Sequence, residues 1–196
     1  MLFSLLVIFI FAFANHVIYI NTLVLTSQTL FSWLPSANMQ TSLGLGARQI
    51  HDIDSVAFEN IFLAKNLYLW GNRLTQIKRS YFNESLFLLQ SLDMSFNQIN
   101  SIEAKSFDTT SMRSSLKHLY LNNNALTHLN SDIFFGLTRL EHLHLNKNIL
   151  NSLDRITFMG LSMIRYIYMQ NNPIGFILPD YVKRLCSTHT YCFIIV

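Results

Sequence analysis

Asparagine recurs at Asn72, Asn97, Asn124, Asn148 and Asn172, at spacings of 25, 27, 24 and 24 residues, and each time the same apolar pattern surrounds it. The clearest copy is Leu116 to Leu129, LKHLYLNNNALTHL, with leucine at places one, four, six, eleven and fourteen and asparagine at place nine. Places four and six carry Leu67 and Leu69, Leu92 and Met94, Leu119 and Leu121, Leu143 and Leu145, Ile167 and Met169. Place nineteen is Phe82, Phe107, Phe134 and Phe158, with Val182 in the fifth copy. So regular a period restricts the chain to a stack of small units, none of which can bury its own leucines without its neighbours.

The local physics of each unit follows from residue type. A segment such as His118-Leu119-Tyr120-Leu121 alternates apolar and polar, so its side chains point in and out in turn, as in a strand. Stacked strands then make a parallel sheet whose inner face is the shared core. At the turn that follows, the asparagine amide can meet backbone groups that would otherwise be buried without partners. Copies start at residues 64, 89, 116, 140 and 164, and a decayed copy at 40–63 puts Arg48 where asparagine belongs. That arginine is expected at a partly solvated first turn. Repeats therefore cover 40–187, and a further period of 24 places Tyr191 and Phe193 at the inward places of a terminal half repeat, 188–196.

The pattern LxxLxLxxNxLxxLxxxxFxxLxx resembles the leucine-rich repeat family. The Phe-x-x-Leu endings at Phe134-Phe135-Gly136-Leu137 and Phe158-Met159-Gly160-Leu161 are similar to its extracellular "typical" class. The resemblance implies an α/β-type horseshoe solenoid, with short parallel strands on the concave face and loops and short helical turns on the convex face. It also implies an asparagine ladder through Asn72, Asn97, Asn124, Asn148 and Asn172, and a phenylalanine spine behind the sheet. The cysteine-rich caps common in that class are not found at either end.

The chain is 51% hydrophobic and 13% charged, and residues 1–47 contain no Asp, Glu, Lys or Arg. MLFSLLVIFIFAFA reads as a secretory signal peptide, residues 1–14, ending in a small-x-small cleavage signal at Ala12-Phe13-Ala14. The alternative is a signal anchor over residues 1–34. It would carry the chain to the extracellular side of a membrane and would have Asn15 and His16 near its centre. Residues 15–39 then form an atypical N-terminal flank, with Trp33 and Leu34 covering the first repeat. Cys186 and Cys192, the two cysteines, close a local disulfide, remain as thiols or form an intermolecular bond. The formal charge of +3 is spread singly, without a basic run, so no nucleic acid partner is expected. No nucleotide loop, HExxH, CxxC or Ser/His/Asp order is present. The chain is read as non-enzymatic, with no cofactor.

Function is expected on the outward places of the concave sheet. The candidate ligand-binding residues are Tyr68, Trp70, Asp93, Lys117, His118, Tyr120, Asn122, His142, His144, Asn146, Tyr166, Tyr168 and Gln170, with Ser95 also at an outward place. Tyrosine and tryptophan give large contact area with few rotamers to freeze, which suits a protein ligand. His118, His142 and His144 raise the alternative of a metal site or of a pH switch near 6.5. Neutral histidines hydrogen-bonded within a polar interface are the blander reading. Asn83-Glu84-Ser85, the one N-x-S/T sequon, falls on a convex loop and is a candidate glycosylation site. The expected function is a secreted or ectodomain protein-interaction module. The rival readings are a fragment of a Toll-like or hormone-receptor-like ectodomain, and an extracellular matrix or adhesion protein.

Overall fold

The computed structural model describes residues 23–154, 156–174 and 193–195. In chain order they form β1 (Leu23–Leu25), α1 (Ser27–Trp33), β2 (Ser42–Gly44), β3 (Ile50–Ile53), β4 (Asn66–Tyr68), β5 (Gln76–Ile77), β6 (Ser91–Asp93), β7 (Ser101–Ile102), α2 (Thr110–Ser115), β8 (His118–Tyr120), β9 (His142–His144), β10 (Tyr166–Tyr168) and β11 (Phe193–Ile195). The repeat sets the strand length of the main sheet: in β2, β4, β6 and β8–β11 three residues alternate before the chain must turn toward the next unit.

The main sheet has seven parallel strands in the order β11-β10-β9-β8-β6-β4-β2. Pairing is place for place, so Leu43, Leu67, Leu92, Leu119, Leu143 and Ile167 form one inward column. All six are fully buried, as are Leu45, Leu69, Leu121 and Leu145 from place six of their units. This is the solenoid of the sequence reading. Behind the sheet, β5 and β7 make a small second pairing at places thirteen and fourteen, Gln76 with Ser101 and Ile77 with Ile102.

The phenylalanine spine forms the back wall. Phe82, Phe107, Phe134 and Phe158 stack in sequence, with ring centroids 6.2, 6.5 and 6.0 Å apart and near-parallel planes. Most of the convex side is made of turns and short 3-10 helices. The 27-residue copy is the exception: its extra residues coil into α2. The Glu84 carboxylate of the preceding unit accepts from the backbone N–H of Thr110 and Ser111 and from the Ser111 hydroxyl, which satisfies donors at the start of that helix. Within the helix's own unit, the Thr109 hydroxyl oxygen caps Met112 N–H.

The asparagines at place nine join consecutive turns. Asn97 shows the scheme: its Oδ1 accepts from Leu74 N–H at 3.1 Å, and its Nδ2 donates to the carbonyls of Leu69 at 3.0 Å and Met94 at 3.1 Å. Asn72, Asn124, Asn148 and Asn172 repeat the same contacts in their own units. One amide thus ties a donor and an acceptor of the preceding unit to an acceptor of its own. Three backbone groups removed from water at the same turn are satisfied by one side chain.

Place eight, just before the asparagine, adopts a left-handed backbone in every unit: Ala47, Gly71, Phe96, Asn123, Lys147 and Asn171 have φ between 54° and 68°. Glycine and asparagine suit that conformation, whereas an ordinary side chain sacrifices roughly 1–2 kcal/mol there. Phe96 is 59% exposed, so its ring gains little packing in return. Phe96→Asn is expected to raise stability by about 1 kcal/mol, read as a higher urea midpoint with unchanged m-value.

At the front, β1 pairs in parallel with β3, and Leu25, Leu30 and Ala37 are buried against the first repeat. Arg48 is half-buried, not merely set in a solvated turn: its guanidinium lies 4.6 Å over the Trp33 ring, and its N–H donates to Asn72 Oδ1. Trp33 and Leu34 are half-buried and pack on the core. The proposed signal peptide, the first part of the alternative anchor, and Cys186 and Cys192 lie outside the described residues.

At the other end the expected register needs correction. Phe193, Ile194 and Ile195 pair with Tyr166, Ile167 and Tyr168, so Phe193 occupies place three, not place six. The copy begins 27 residues after its predecessor instead of 24. This register turns the aliphatic Ile194 toward the core and extends the leucine column, while Phe193 joins an aromatic row outside. The segment has no leucine at a diagnostic place, so the period alone did not fix the slip.

Candidate functional site

Because successive side chains of a strand alternate, places three, five and seven form three outward columns across the sheet. Column three runs Asn66, Ser91, His118, His142, Tyr166 and Phe193; column five runs Tyr68, Asp93, Tyr120, His144 and Tyr168. In the second half of the stack these columns become continuous ring stacks. His118 to His142, His142 to Tyr166 and Tyr166 to Phe193 are 4.8, 5.1 and 5.4 Å apart between centroids. Tyr120 to His144 and His144 to Tyr168 are 4.5 and 4.3 Å apart, and Tyr166 faces Tyr168 at 6.0 Å across the columns. Strand spacing imposes these separations, and the ring types make them favourable stacks.

Column seven is more varied. Trp70 is 45% exposed and its indole lies on Gly46 of the preceding unit, where an added Cβ would meet the ring at 2.5 Å. Asn122, Asn146 and Gln170 are half-buried. Ser95 departs from the outward expectation: it is buried, and its hydroxyl donates to Asp93 Oδ1 at 2.6 Å. A side chain this small is overshadowed by the larger ones on either side. Along the flank, Glu141 sits between Lys117 at 3.8 Å and Arg165 at 3.3 Å. One carboxylate thus serves two cations, a link that sequence order alone does not display.

His118 and His142 stack on one another, and His144 stacks between Tyr120 and Tyr168 in the other column, so the three do not converge. Near-parallel imidazoles carry their nitrogens in separate planes, whereas a shared zinc ion would need them aimed at one point about 2 Å away. Among the described residues no group of three His, Cys, Asp or Glu side chains is placed to hold a metal ion. The switch near pH 6.5 is also displaced. Burial holds His118 and His142 below the ordinary imidazole range. His144 is pushed down to about 4, by burial first and then by the neighbouring His142 and His118. At neutral pH the rings are uncharged members of an aromatic surface.

This displacement sets a pH dependence. An unfolded histidine takes up its proton near pH 6.5, while folded His144 resists until about 4, so the unfolded state binds more protons between these values. The stability it contributes is complete above pH 6.5 and is lost as pH falls toward 4. Partial solvent access reduces the effect to roughly 1–2 kcal/mol. His144→Phe, which keeps a ring in the stack, is expected to flatten the loss of stability between pH 7 and 4.5, measured by urea midpoints of both proteins.

On the convex side, Asn83 precedes the 3-10 turn Glu84–Leu86, and its Oδ1 accepts from Ser85 N–H. It lies on the opposite side of the solenoid from the aromatic columns.

A sequence model described as leucine rich repeat matches residues 64–111 and 114–174, more than half of the chain. Among solved structures, a leucine-rich repeat protein of Leptospira interrogans is similar, at 25% identity and a TM-score of 0.64, over 81% of this chain and 38% of its own. The leucine-rich repeat domain of APL1B shares 26% identity at a TM-score of 0.61, over 76% of this chain and 43% of its own. A chain in the octameric complex of Latrophilin 3, Unc5D and FLRT2 shares the fold at 23% identity and a TM-score of 0.60, over 75% of this chain and 43% of that one. The chain therefore spans about two fifths of the length of the solved chains it matches. No curated protein sequence gives a match.

Proposed function

This chain belongs to the leucine-rich repeat family, and from that premise we propose that it is a non-enzymatic module that binds a protein ligand on its concave sheet, as a secreted protein or an ectodomain. The observation that carries the reading is the pair of ring stacks at columns three and five. A half-exposed surface of tyrosine, histidine and phenylalanine is already held in fixed rotamers, so little side-chain entropy remains to be lost on association. The flanking Lys117, Glu141 and Arg165 form a polar border to that surface, the arrangement of an apolar centre and charged rim found in protein interfaces. The extracellular placement rests on the apolar leader over residues 1–14 and on the sequon at Asn83. Among the described residues no helix is long and apolar enough to cross a membrane.

Proximity labelling tests the binding claim. The tagged full chain and its Tyr168→Ser variant are expressed in the same cells, and the proteins labelled by each are compared. A set of neighbours labelled by the native chain and depleted at least fivefold by the variant supports the concave face; an identical set argues against it. Release of the tagged chain into the medium, with a glycosidase-sensitive mass that disappears in Asn83→Gln, supports the secretory placement. Retention in the cytosol overturns it.

A further inference from the structure

Between its edge strands the concave face carries an interruption with a chemistry of its own. At β6 the places three, five and seven hold Ser91, Asp93 and Ser95, a set smaller than either neighbour's: Asn66, Tyr68 and Trp70 on one side and His118, Tyr120 and Asn122 on the other. Their small volume leaves a notch in the face, with Asp93 at its floor and Tyr68 and Tyr120 directly across from it on the neighbouring strands. Two strand spacings separate these tyrosines by roughly 10 Å, enough to admit one flat cationic group between two rings.

The carboxylate is oriented and only half used. Asp93 Oδ1 accepts from the backbone N–H of Ser95 at 2.9 Å and from its hydroxyl at 2.6 Å. These bonds fix the side chain in place, while no donor meets Oδ2 and no Lys or Arg pairs with it among the described residues. Lys117 and Arg165, on the flank of the face, are engaged with Glu141 instead. An oriented, unpaired carboxylate between aromatic rings favours a cation by charge-assisted hydrogen bonding and by attraction to the ring faces.

We infer that the notch at Asp93, walled by Tyr68 and Tyr120, is a receptor site for a single arginine side chain of the protein ligand. This deepens the concave-face reading and rests on it. A planar guanidinium matches both the carboxylate and the flat ring walls better than a compact ammonium does. The exposed Lys65 and half-buried Lys117 on the flank disfavour a run of basic residues. The ligand segment is therefore one that presents an isolated arginine among neutral or acidic neighbours.

The test is an NMR titration of the full chain with Nα-acetyl-argininamide, and with the neutral isostere Nα-acetyl-citrullinamide as control. Saturable shifts at Asp93, Tyr68 and Tyr120 are expected with the arginine probe, at least tenfold weaker with citrulline and at least tenfold weaker in Asp93→Asn. Asp154→Asn, which alters a convex carboxylate that accepts from Ile156 N–H, is expected to leave them unchanged. Equal shifts with citrulline, equal shifts in Asp93→Asn, or no saturable shift at these three residues would each overturn the assignment. Shifts confined to Tyr166 and Tyr168 that persist in Asp93→Asn remove the notch while leaving the concave face as the binding surface. Failure of the broader reading is seen separately, in the labelling pattern of Tyr168→Ser.

Discussion

Replacing Asn97 with alanine is expected to destabilise the solenoid by about 3 kcal/mol, because the loss strands three backbone groups at once: Leu74 N–H and the carbonyls of Leu69 and Met94. Each buried group left without a partner costs about 1–3 kcal/mol, and Asn97 is only 8% exposed, so water has little access to substitute for it. Against the 5–15 kcal/mol typical of a folded domain, a loss of this size lowers the melting temperature by roughly 10 °C. Asn124 makes the equivalent bonds but is half-buried. Water can replace part of its role, and Asn124→Ala is expected to cost about 1 kcal/mol. Thermal unfolding of the two variants side by side measures the difference. Equal losses would mean that burial of the ladder is not what sets its contribution.

Phe107→Ala is expected to be at least as damaging, at about 3–5 kcal/mol. The ring is fully buried and stacks between Phe82 and Phe134, so truncation removes transfer free energy, leaves a cavity, and breaks the spine at its middle. In a solenoid each unit contacts only its neighbours, so weakening one contact between units also weakens the cooperativity of the whole. The two tryptophans, Trp33 and Trp70, both lie on the N-terminal side of this break. In the native chain tryptophan fluorescence and far-UV circular dichroism are expected to report one urea transition. In Phe107→Ala the two are expected to separate, since the halves then unfold at different denaturant concentrations. A variant whose two signals still coincide, with a small loss of stability, would contradict the spine's coupling role.

The fold was readable because its constraints are periodic. A leucine or isoleucine at place four of every unit has one inward direction available, and an asparagine at place nine supplies the donors and acceptor its turn needs; both repeat often enough to fix the register. The left-handed turn at place eight was far less readable. Gly71, Asn123 and Asn171 announce it, but Phe96 and Lys147 adopt it against their own preference. The final strand was misplaced by three residues because neither Tyr191 nor Phe193 distinguishes an inward from an outward place as leucine does. Which side chains share the concave face follows from alternation alone. How they touch does not: the closeness of His144 to both Tyr120 and Tyr168, the burial that pushes its pKa down, and the sinking of Ser95 beneath its neighbours depend on side-chain volumes in three adjacent units.

The concave sheet as binding surface is tested most directly by site-specific photocrosslinking, with p-benzoylphenylalanine introduced in place of Tyr168 on the concave face or of Phe135, a 60% exposed residue of the convex side. Irradiation of cells expressing each variant is expected to give a discrete adduct with a second protein from position 168 and none from position 135. An adduct from position 135 alone would contradict the account.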